Sequence, residues 1–446
     1  MKAFFENPHR KSARVWGFLL ASATFAICVA CVYAQDFYTA SSTGGGGGYA
    51  SSGALQQGGI GKNLGMDESK AGGENFSPLS LLARKPFKIT VSVREGFDSN
   101  VNTTKTNVQS SFYTNFAAGI YYNFGSPRLK LTTSLTGGYT FYYNDKVSDQ
   151  NRFSGLWDFA AIYTFSPRLT LSATTTTGYY SQPNVVVPGT NISQQGDYFS
   201  SITRIAALYQ WTTRFSTTTA YTFAPIIYVD PDLNDQQGRI QQTISHSFNY
   251  LYRPTTTLVA EYRVSPTTYF SADLNSFDQY GLVGFDHVFS PRSSWNFRAG
   301  VQVNILENPV DGQSTYVGPF SETGFIYRYG DRSQISTSLR YGTEASGLQN
   351  VTQRQSLRFG TGLTHAFTPR LIGNAGAFYG INYYEQNGVI DSFYENVFEG
   401  TVGLTYEFNR FLSANAGYRF TGVLSPDQSQ REYNRSIVFL GVNASF

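Results

Sequence analysis

Phe165-Ser166-Pro167-Arg168-Leu169 closes one alternating run of residues and opens the next. It recurs as Phe124-Gly125-Ser126-Pro127-Arg128-Leu129, as Phe289-Ser290-Pro291-Arg292 and as Phe367-Thr368-Pro369-Arg370-Leu371. Looser copies stand at Trp211-Thr212-Thr213-Arg214-Phe215, Tyr252-Arg253-Pro254, Tyr329-Gly330-Asp331-Arg332 and Phe408-Asn409-Arg410-Phe411. Proline fixes φ and donates no hydrogen bond, so it suits a tight turn rather than a strand interior. One mark about every 40 residues leaves room for two long strands and one longer connection. That is the rhythm of a large antiparallel barrel with short turns on one rim and long loops on the other.

From Phe87 onward the apolar pattern has period two, the strand signature. Leu129, Leu131, Thr133, Leu135, Gly137, Tyr139, Phe141 and Tyr143 share one face, against Lys130, Thr132, Ser134, Thr136, Gly138 and Thr140 on the other. Trp295 to Ile305 and Leu412 to Phe420 split the same way. A face of Gly, Ser, Thr, Asn and Arg cannot form a dry core, so it belongs on the water side of a sheet. The expected fold is an all-β, transmembrane, antiparallel up-and-down barrel spanning 87–446.

The polar stretches between marks read as loops: Asp98 to Ser110, Pro183 to Asp197, Asp230 to Gly238, Asn308 to Ser314, Gln386 to Asp391 and Ser425 to Arg431. Eight turns and about nine loops imply about 18 strands. An even number puts both ends of the barrel on the short-turn side, expected to be the periplasmic one. A soluble β-propeller also repeats near 40 residues. Its blades need four short strands each, whereas alternation here continues unbroken for ten residues or more.

Composition agrees with a membrane barrel. Aromatics make up 16% of the chain and charged residues only 14%, below the ~25% usual in soluble domains. No stretch after residue 34 has the ~18 apolar residues of a spanning helix. Residues 1–34 read as a secretory signal peptide, with Lys2, Arg10, Lys11 and Arg14, then an apolar run, then Val32-Tyr33-Ala34. A retained anchor or a lipoprotein cysteine at Cys31 is the alternative reading. Of 33 basic and 30 acidic residues that leader holds four and one, so the remainder carries 29 of each. Such a neutral chain has no nucleic-acid footprint. Both cysteines, Cys28 and Cys31, leave with the leader, and disulfide or thiolate chemistry leaves with them. Residues 35–86, with five consecutive glycines, read as a flexible periplasmic linker.

Candidate chemistry is thin. His246, His287 and His365 each lie two residues before a phenylalanine, on the apolar phase near a rim, where an amphipathic ring suits the headgroup zone. Beyond the leader, which holds Glu6-Asn7-Pro8-His9, no His-x-x-His or Glu-x-x-His pattern suggests a metal. Gly61-Lys62-Asn63 lacks the flanking residues of a phosphate loop. Asp230-Pro231-Asp232-Leu233-Asn234-Asp235 has oxygens at alternate positions, but Asp235 and Gln241 replace the glycine and the closing glutamate of a calcium loop. An acidic surface loop is expected there. No metal, cofactor or nucleophile–base pair is expected, and hence no enzyme.

The polar phase carries the informative charges. The pore-lining candidates are Arg94, Arg152, Arg204, Arg263, Arg298, Arg340, Arg354, Arg358, Arg419 and Arg435, with Asp158, Glu261, Glu322, Glu395, Glu399 and Glu407. Arginine's fixed fork suits carboxylate, phosphate or sugar hydroxyls, or pairing across strands. For strands near 334–342 and 353–367, pairing partners for Arg340, Arg354 and Arg358 are expected to be scarce within their hairpin, with partial compensation from Glu395 and Glu399 on a strand two further on. A mild anion preference follows.

The last strand places Val438, Leu440, Val442, Ala444 and Phe446 on one face. With the first-strand turn Phe97-Asp98-Ser99-Asn100-Val101, this region resembles bacterial outer-membrane barrels of the "Putative beta-barrel porin" families. The resemblance implies an outer-membrane location in a Gram-negative-type bacterium. It also makes Phe446 a signal for the barrel-assembly machinery and membrane lipid a neighbour. Oligomers are compatible with it. The expected function is a porin-like channel for passive diffusion of small hydrophilic solutes. The alternatives are a dedicated conduit for saccharide export or uptake, with residues 35–86 as plug or tether, and an outer-membrane enzyme.

Overall fold

A computed structural model describes residues 87–150, 152–181, 196–270, 275–307, 314–348, 351–385 and 391–446. The leader, the 35–86 segment and most of the 183–197, 308–314 and 386–391 stretches lie outside the described residues. The strands are β1 (Phe87–Asp98), β2 (Ser111–Gly125), β3 (Leu129–Tyr142), β4 (Arg152–Thr164), β5 (Leu169–Tyr180), β6 (Tyr198–Gln210), β7 (Phe215–Tyr228), β8 (Arg239–Arg253) and β9 (Thr256–Tyr269). They continue as β10 (Ser276–Ser290), β11 (Ser293–Leu306), β12 (Thr315–Gly330), β13 (Ser333–Leu348), β14 (Val351–Ala366), β15 (Leu371–Tyr384), β16 (Phe393–Glu407), β17 (Leu412–Leu424) and β18 (Tyr433–Ser445). Each pairs antiparallel with its neighbours in sequence, and β1 pairs with both β2 and β18, so the sheet closes as an 18-stranded barrel. Closure leaves no unpaired edge in lipid, which is the condition for a sheet to cross a membrane.

The chemistry of the short turns explains why they recur. The residue before proline accepts hydrogen bonds from the backbone beyond it. Ser166 Oγ takes Leu169 N (3.1 Å), and Thr368 Oγ1 takes Leu371 N (2.9 Å). Asn409 Oδ1 takes Leu412 N (3.0 Å) at a turn without proline, and Thr212 Oγ1 takes Phe215 N (3.0 Å). A hydroxyl or amide in that slot imitates a backbone turn, while proline sets φ. The turns and both ends of the barrel share one rim.

Burial alternates as the sequence pattern requires. Val438, Leu440 and Val442 are exposed on the outside, for example, while Arg435 and Ser445 are buried inside. Two belts bound the apolar outer band. At the short-turn rim lie exposed Phe165, Trp211, Phe289 and Phe367. His246 lies in the middle of β8, away from the rim expected for it, while His287 and His365 sit at that rim; each of the three is edge-on to the aromatic two residues on, at 4.4–4.8 Å. Their Nδ1 atoms meet Thr219 Oγ1, Thr256 Oγ1 and Tyr329 Oη respectively.

Toward the loop rim a tyrosine on an odd strand donates diagonally to a polar side chain on the next strand. The pairs are Tyr221 to Gln242 (2.8 Å), Tyr262 to Gln279 (2.7 Å), Tyr341 to Gln355 (3.3 Å) and Tyr379 to Asn396 (2.9 Å). The ten steps from Asp331 to Tyr341 rise about 25 Å at roughly 3.3 Å each and ~40° tilt, the height of a lipid-facing band.

Among the described residues there is no central core. Buried apolar residues form small clusters on the inner wall, such as Val101 with Tyr142 and Val147, and Phe378 with Val397, Val423 and Tyr433. One of them corrects a sequence expectation. Asp230 to Gly238 is not an open acidic loop but contains a helix, α1 (Pro231–Gln237), capped by Asp230 Oδ1 on Leu233 N (3.0 Å) with Pro231 in its first turn. Leu233 then packs on Tyr198, Ile226 and Tyr228. Burying that leucine holds the acidic segment in a helical shape unlike a calcium loop. Helix α1 lies against β7 and reaches β9 and β13 farther round the wall.

Candidate functional site: the inner wall

The inward phase of β9–β14 carries an interlocked set of charges. Arg263 on β9 is held between two carboxylates, Nε to Glu261 Oε1 at 2.6 Å and Nη2 to Glu322 Oε1 at 2.6 Å. Glu322 comes from β12, so the guanidinium clasps strands that do not adjoin. Phe320 lies beneath this clasp, with Arg263 at 5.8 Å and Arg340 at 5.4 Å from its ring. Arg298 bonds both oxygens of Asp286 (2.8 and 3.0 Å) and the carbonyls of Phe285 and Phe297. It is only 1% exposed, so the pairing and the carbonyls replace its water.

The β13–β14 hairpin corrects a second expectation. Glu344, opposite Arg354 in the ladder, lies 3.2 Å from Arg358 and 3.6 Å from Arg354. Strand β13 continues past residue 342, and Glu344 falls on the same inward phase as Arg340. Among the described residues only Arg340 of these three has no carboxylate within 4 Å. The network runs on through Arg354 Nη1 to Tyr384 Oη (2.9 Å) and Tyr384 Oη to Glu395 Oε1 (3.0 Å). Arg431, from the β17–β18 connection, donates to Glu395 Oε2 (2.9 Å).

A proline that the sequence reading passed over shapes this wall. Pairing of β12 with β13 stops at Ser321–Tyr341, two residues short of where Pro319 would face Thr343. Pro319 has no N–H to give. Gln302 on β11 fills the gap, donating Nε2 to Thr343 O (3.0 Å) and accepting from Thr343 N (2.9 Å).

The other candidates are dispersed. Arg435 bonds Asp98 through Nε (3.0 Å) and Nη2 (2.5 Å) across the β1–β18 seam. Asn100 Nδ2 reaches Asn434 O (3.0 Å), so the Asp98-Ser99-Asn100 turn ties the first loop to the last strand. Arg94 lies 5.1 Å from the Phe439 ring. Arg152 donates to Ser181 O, Asp158 accepts from Thr176 (2.8 Å) and Glu399 from Thr421 (3.3 Å). Arg204 is buried and Arg419 half-buried on the inward phase. Glu407 receives Arg332 (2.8 Å) at the short-turn rim, far from the others. Phe446 exchanges backbone hydrogen bonds with Ile89 (3.0 and 2.8 Å) and leaves its ring exposed outside.

Beside the charged arc, where β8 pairs with β9, β5–β8 line the interior largely with hydroxyls and amides. Thr174 and Thr176 are exposed, and Asn249 Nδ2 donates to Thr218 Oγ1 (3.2 Å).

Residues 321–446 match a family described as "Putative beta-barrel porin 2". The carboxyl-terminal third resembles a porin family. Solved structures similar to this porin-like chain include the outer membrane protein OpdK from Pseudomonas aeruginosa, at 10% identity and TM-score 0.41 over 81% of this chain and 99% of that one. OccK2 (OpdF) of the same organism, solved with glucuronate, gives 11%, 0.43, 81% and 98%. Acinetobacter baumannii OccAB3 gives 11%, 0.39, 81% and 99%. No curated protein matches the chain.

Proposed function

We propose that the chain is an outer-membrane, porin-like channel for passive diffusion of small hydrophilic solutes. One observation carries the reading: a closed barrel of 18 strands is polar on its inner face and apolar on its outer face. Barrels of this size enclose an aqueous passage. The pore-lining set proposed here runs through the charged arc (Arg263, Glu261, Glu322, Arg298, Arg340, Arg354, Arg358, Glu395) and the hydroxyl arc of β5–β8. A permeating solute would meet the exposed hydroxyls, while the largely buried charged arc sets the field around it. Planar-bilayer recording of the purified full-length protein tests the reading. Discrete ohmic steps are expected, and a folded, inserted barrel that never conducts overturns it.

Helix α1 favours a second reading, a dedicated saccharide conduit, because it narrows the loop-side mouth between β7 and β13. Replacing 231–237 with a Gly-Ser linker raises conductance severalfold if the helix gates the mouth. It leaves conductance unchanged if the channel is a simple pore.

A further inference from the structure

All eight short turns carry an arginine, yet the turn geometry does not ask for one. The turn uses a hydroxyl or amide acceptor and, in five of them, a proline. From the arginine it uses only the backbone: the N–H, which in Arg168, Arg214, Arg292 and Arg370 donates to the turn hydroxyl, and the carbonyl. That of Arg128 accepts from Thr164 N, that of Arg168 from Gln210 N and that of Arg292 from Arg328 N, links any residue could supply. The guanidinium groups of Arg128, Arg168, Arg214, Arg253, Arg292 and Arg370 are exposed, as is that of Arg410. Among the described residues these seven make no ion pair, whereas Arg332 is paired with Glu407. Asp331 is the one acid within the eight turns.

Each arginine stands next to an aromatic that faces outward at the edge of the apolar band. Trp211 precedes Arg214, Phe289 precedes Arg292 and Phe367 precedes Arg370. Arg253 and Arg410 lie over the rings of Tyr252 and Phe411. Successive turns are two strands apart, hence about 10 Å along the rim. The result is a ring of cationic forks just beyond the belt that marks where hydrocarbon ends.

We propose that this ring binds the phosphates of anionic lipid headgroups in the leaflet beside the short-turn rim. A planar guanidinium takes two oxygens of one phosphate in parallel hydrogen bonds. The neighbouring ring seats in the interface while the long arginine stem extends outward from it. A single arginine at such a surface binds weakly, but seven on a rigid closed rim act together. The proposal depends on the barrel spanning a bilayer and not on whether its lumen conducts.

Trp211 and Trp295 stand at this rim and report on it directly. In proteoliposomes of the full-length protein, their quenching by brominated phosphatidylglycerol is compared with that by brominated phosphatidylcholine at matched mole fraction. A three- to tenfold preference for the anionic lipid is expected at low salt, falling toward unity at 0.5–1 M salt as screening shortens. Replacing Arg168, Arg214, Arg292 and Arg370 by Gln removes most of the preference. The lumen pair Arg354→Gln/Arg358→Gln leaves it intact. If the fourfold variant does not insert, Arg214→Gln/Arg292→Gln gives a partial loss, and the salt titration applies to the unmodified protein. Equal quenching by both lipids overturns the proposal and leaves the ring to an acidic protein or an anionic solute. A preference that survives the turn substitutions overturns it equally.

Discussion

The two arcs of the inner wall solve the same problem with different chemistry. Strands β9–β16 line the interior with carboxylates and guanidiniums that neutralise one another at 2.6–3.6 Å. Strands β5–β8, apart from Arg204 and Arg239, line it with Ser, Thr and Asn, whose bonds are short-range and mostly uncharged. A desolvated charge is tolerable only with its partner in place, so the charged arc is rigid by necessity. A hydroxyl exchanges its protein partner for water or solute at little cost. One arc therefore fixes the shape and field of the passage, and the other is free to contact what passes.

The sharpest way to break this comparison is to remove one member from each arc. Arg263→Met strands Glu261 and Glu322 together, and should cost about 3–5 kcal/mol. Thr218→Ala in the hydroxyl arc should cost about 1 kcal/mol. The temperature at which the folded band disappears on a heat-modifiability gel reads both. Equal shifts would erase the distinction between the arcs.

Next comes Gln302→Leu, which keeps the volume but leaves Thr343 N and O without their substitute strand. Loss of about 1–3 kcal/mol is expected, with faster amide exchange localised to β13 around Thr343. Protection unchanged there would mean that Gln302 is dispensable.

Selectivity comes third. Since Glu344 compensates Arg354 and Arg358, Glu344→Gln should raise anion preference at low salt. Arg354→Gln/Arg358→Gln should lower it. A reversal potential indifferent to Glu344→Gln would mean that this pairing does not set the field.

The smallest effect lies outside the barrel wall. Lys105 donates to Glu432 (2.5 Å) and holds its carboxyl below the ordinary 4.5. A carboxyl depressed in the folded state stabilises above its unfolded value, and that contribution is lost as pH falls through the folded one. The Glu432 side-chain NMR shift should therefore titrate below 4.5, and return toward it in Lys105→Met. An identical midpoint in both proteins would mean that the contact does not persist in solution.

The architecture was legible because its signals are local. An arginine, with a proline in five of the eight, marks each short turn, and period-two alternation assigns each face, so about 18 strands follow by counting. The inner-wall contacts were less legible. Glu344 stands on the inward phase of β13, but the run of mostly small residues from Gly342 to Gly347 weakens the alternation that marks where that strand ends. The helix at 231–237 had its signals too, with Asp230 as cap and Pro231 at the first turn, and the density of acids masked them. The Arg263–Glu322 clasp and the Gln302–Thr343 patch join strands that do not adjoin. Nothing in either segment's own pattern announces the other, since such pairs depend on wall curvature and on which ladder stops early.

The seam between β1 and β18 has a consequence for how the barrel comes to exist. Every other strand pair closes a short connection, whereas Ile89 and Phe446 meet only after nearly the entire described chain has been laid down. Loop-closure entropy for some 350 residues exceeds that for a ten-residue loop by on the order of 3 kcal/mol. Hairpins can thus zip one after another, each with its own local reward, while ring closure comes last and waits on all of them. Until then β1 and β18 are open edges, the state most exposed to pairing with another chain. Asp98, Asn100 and Arg435 are placed to shorten that wait, because they latch the far end of the seam from both sides.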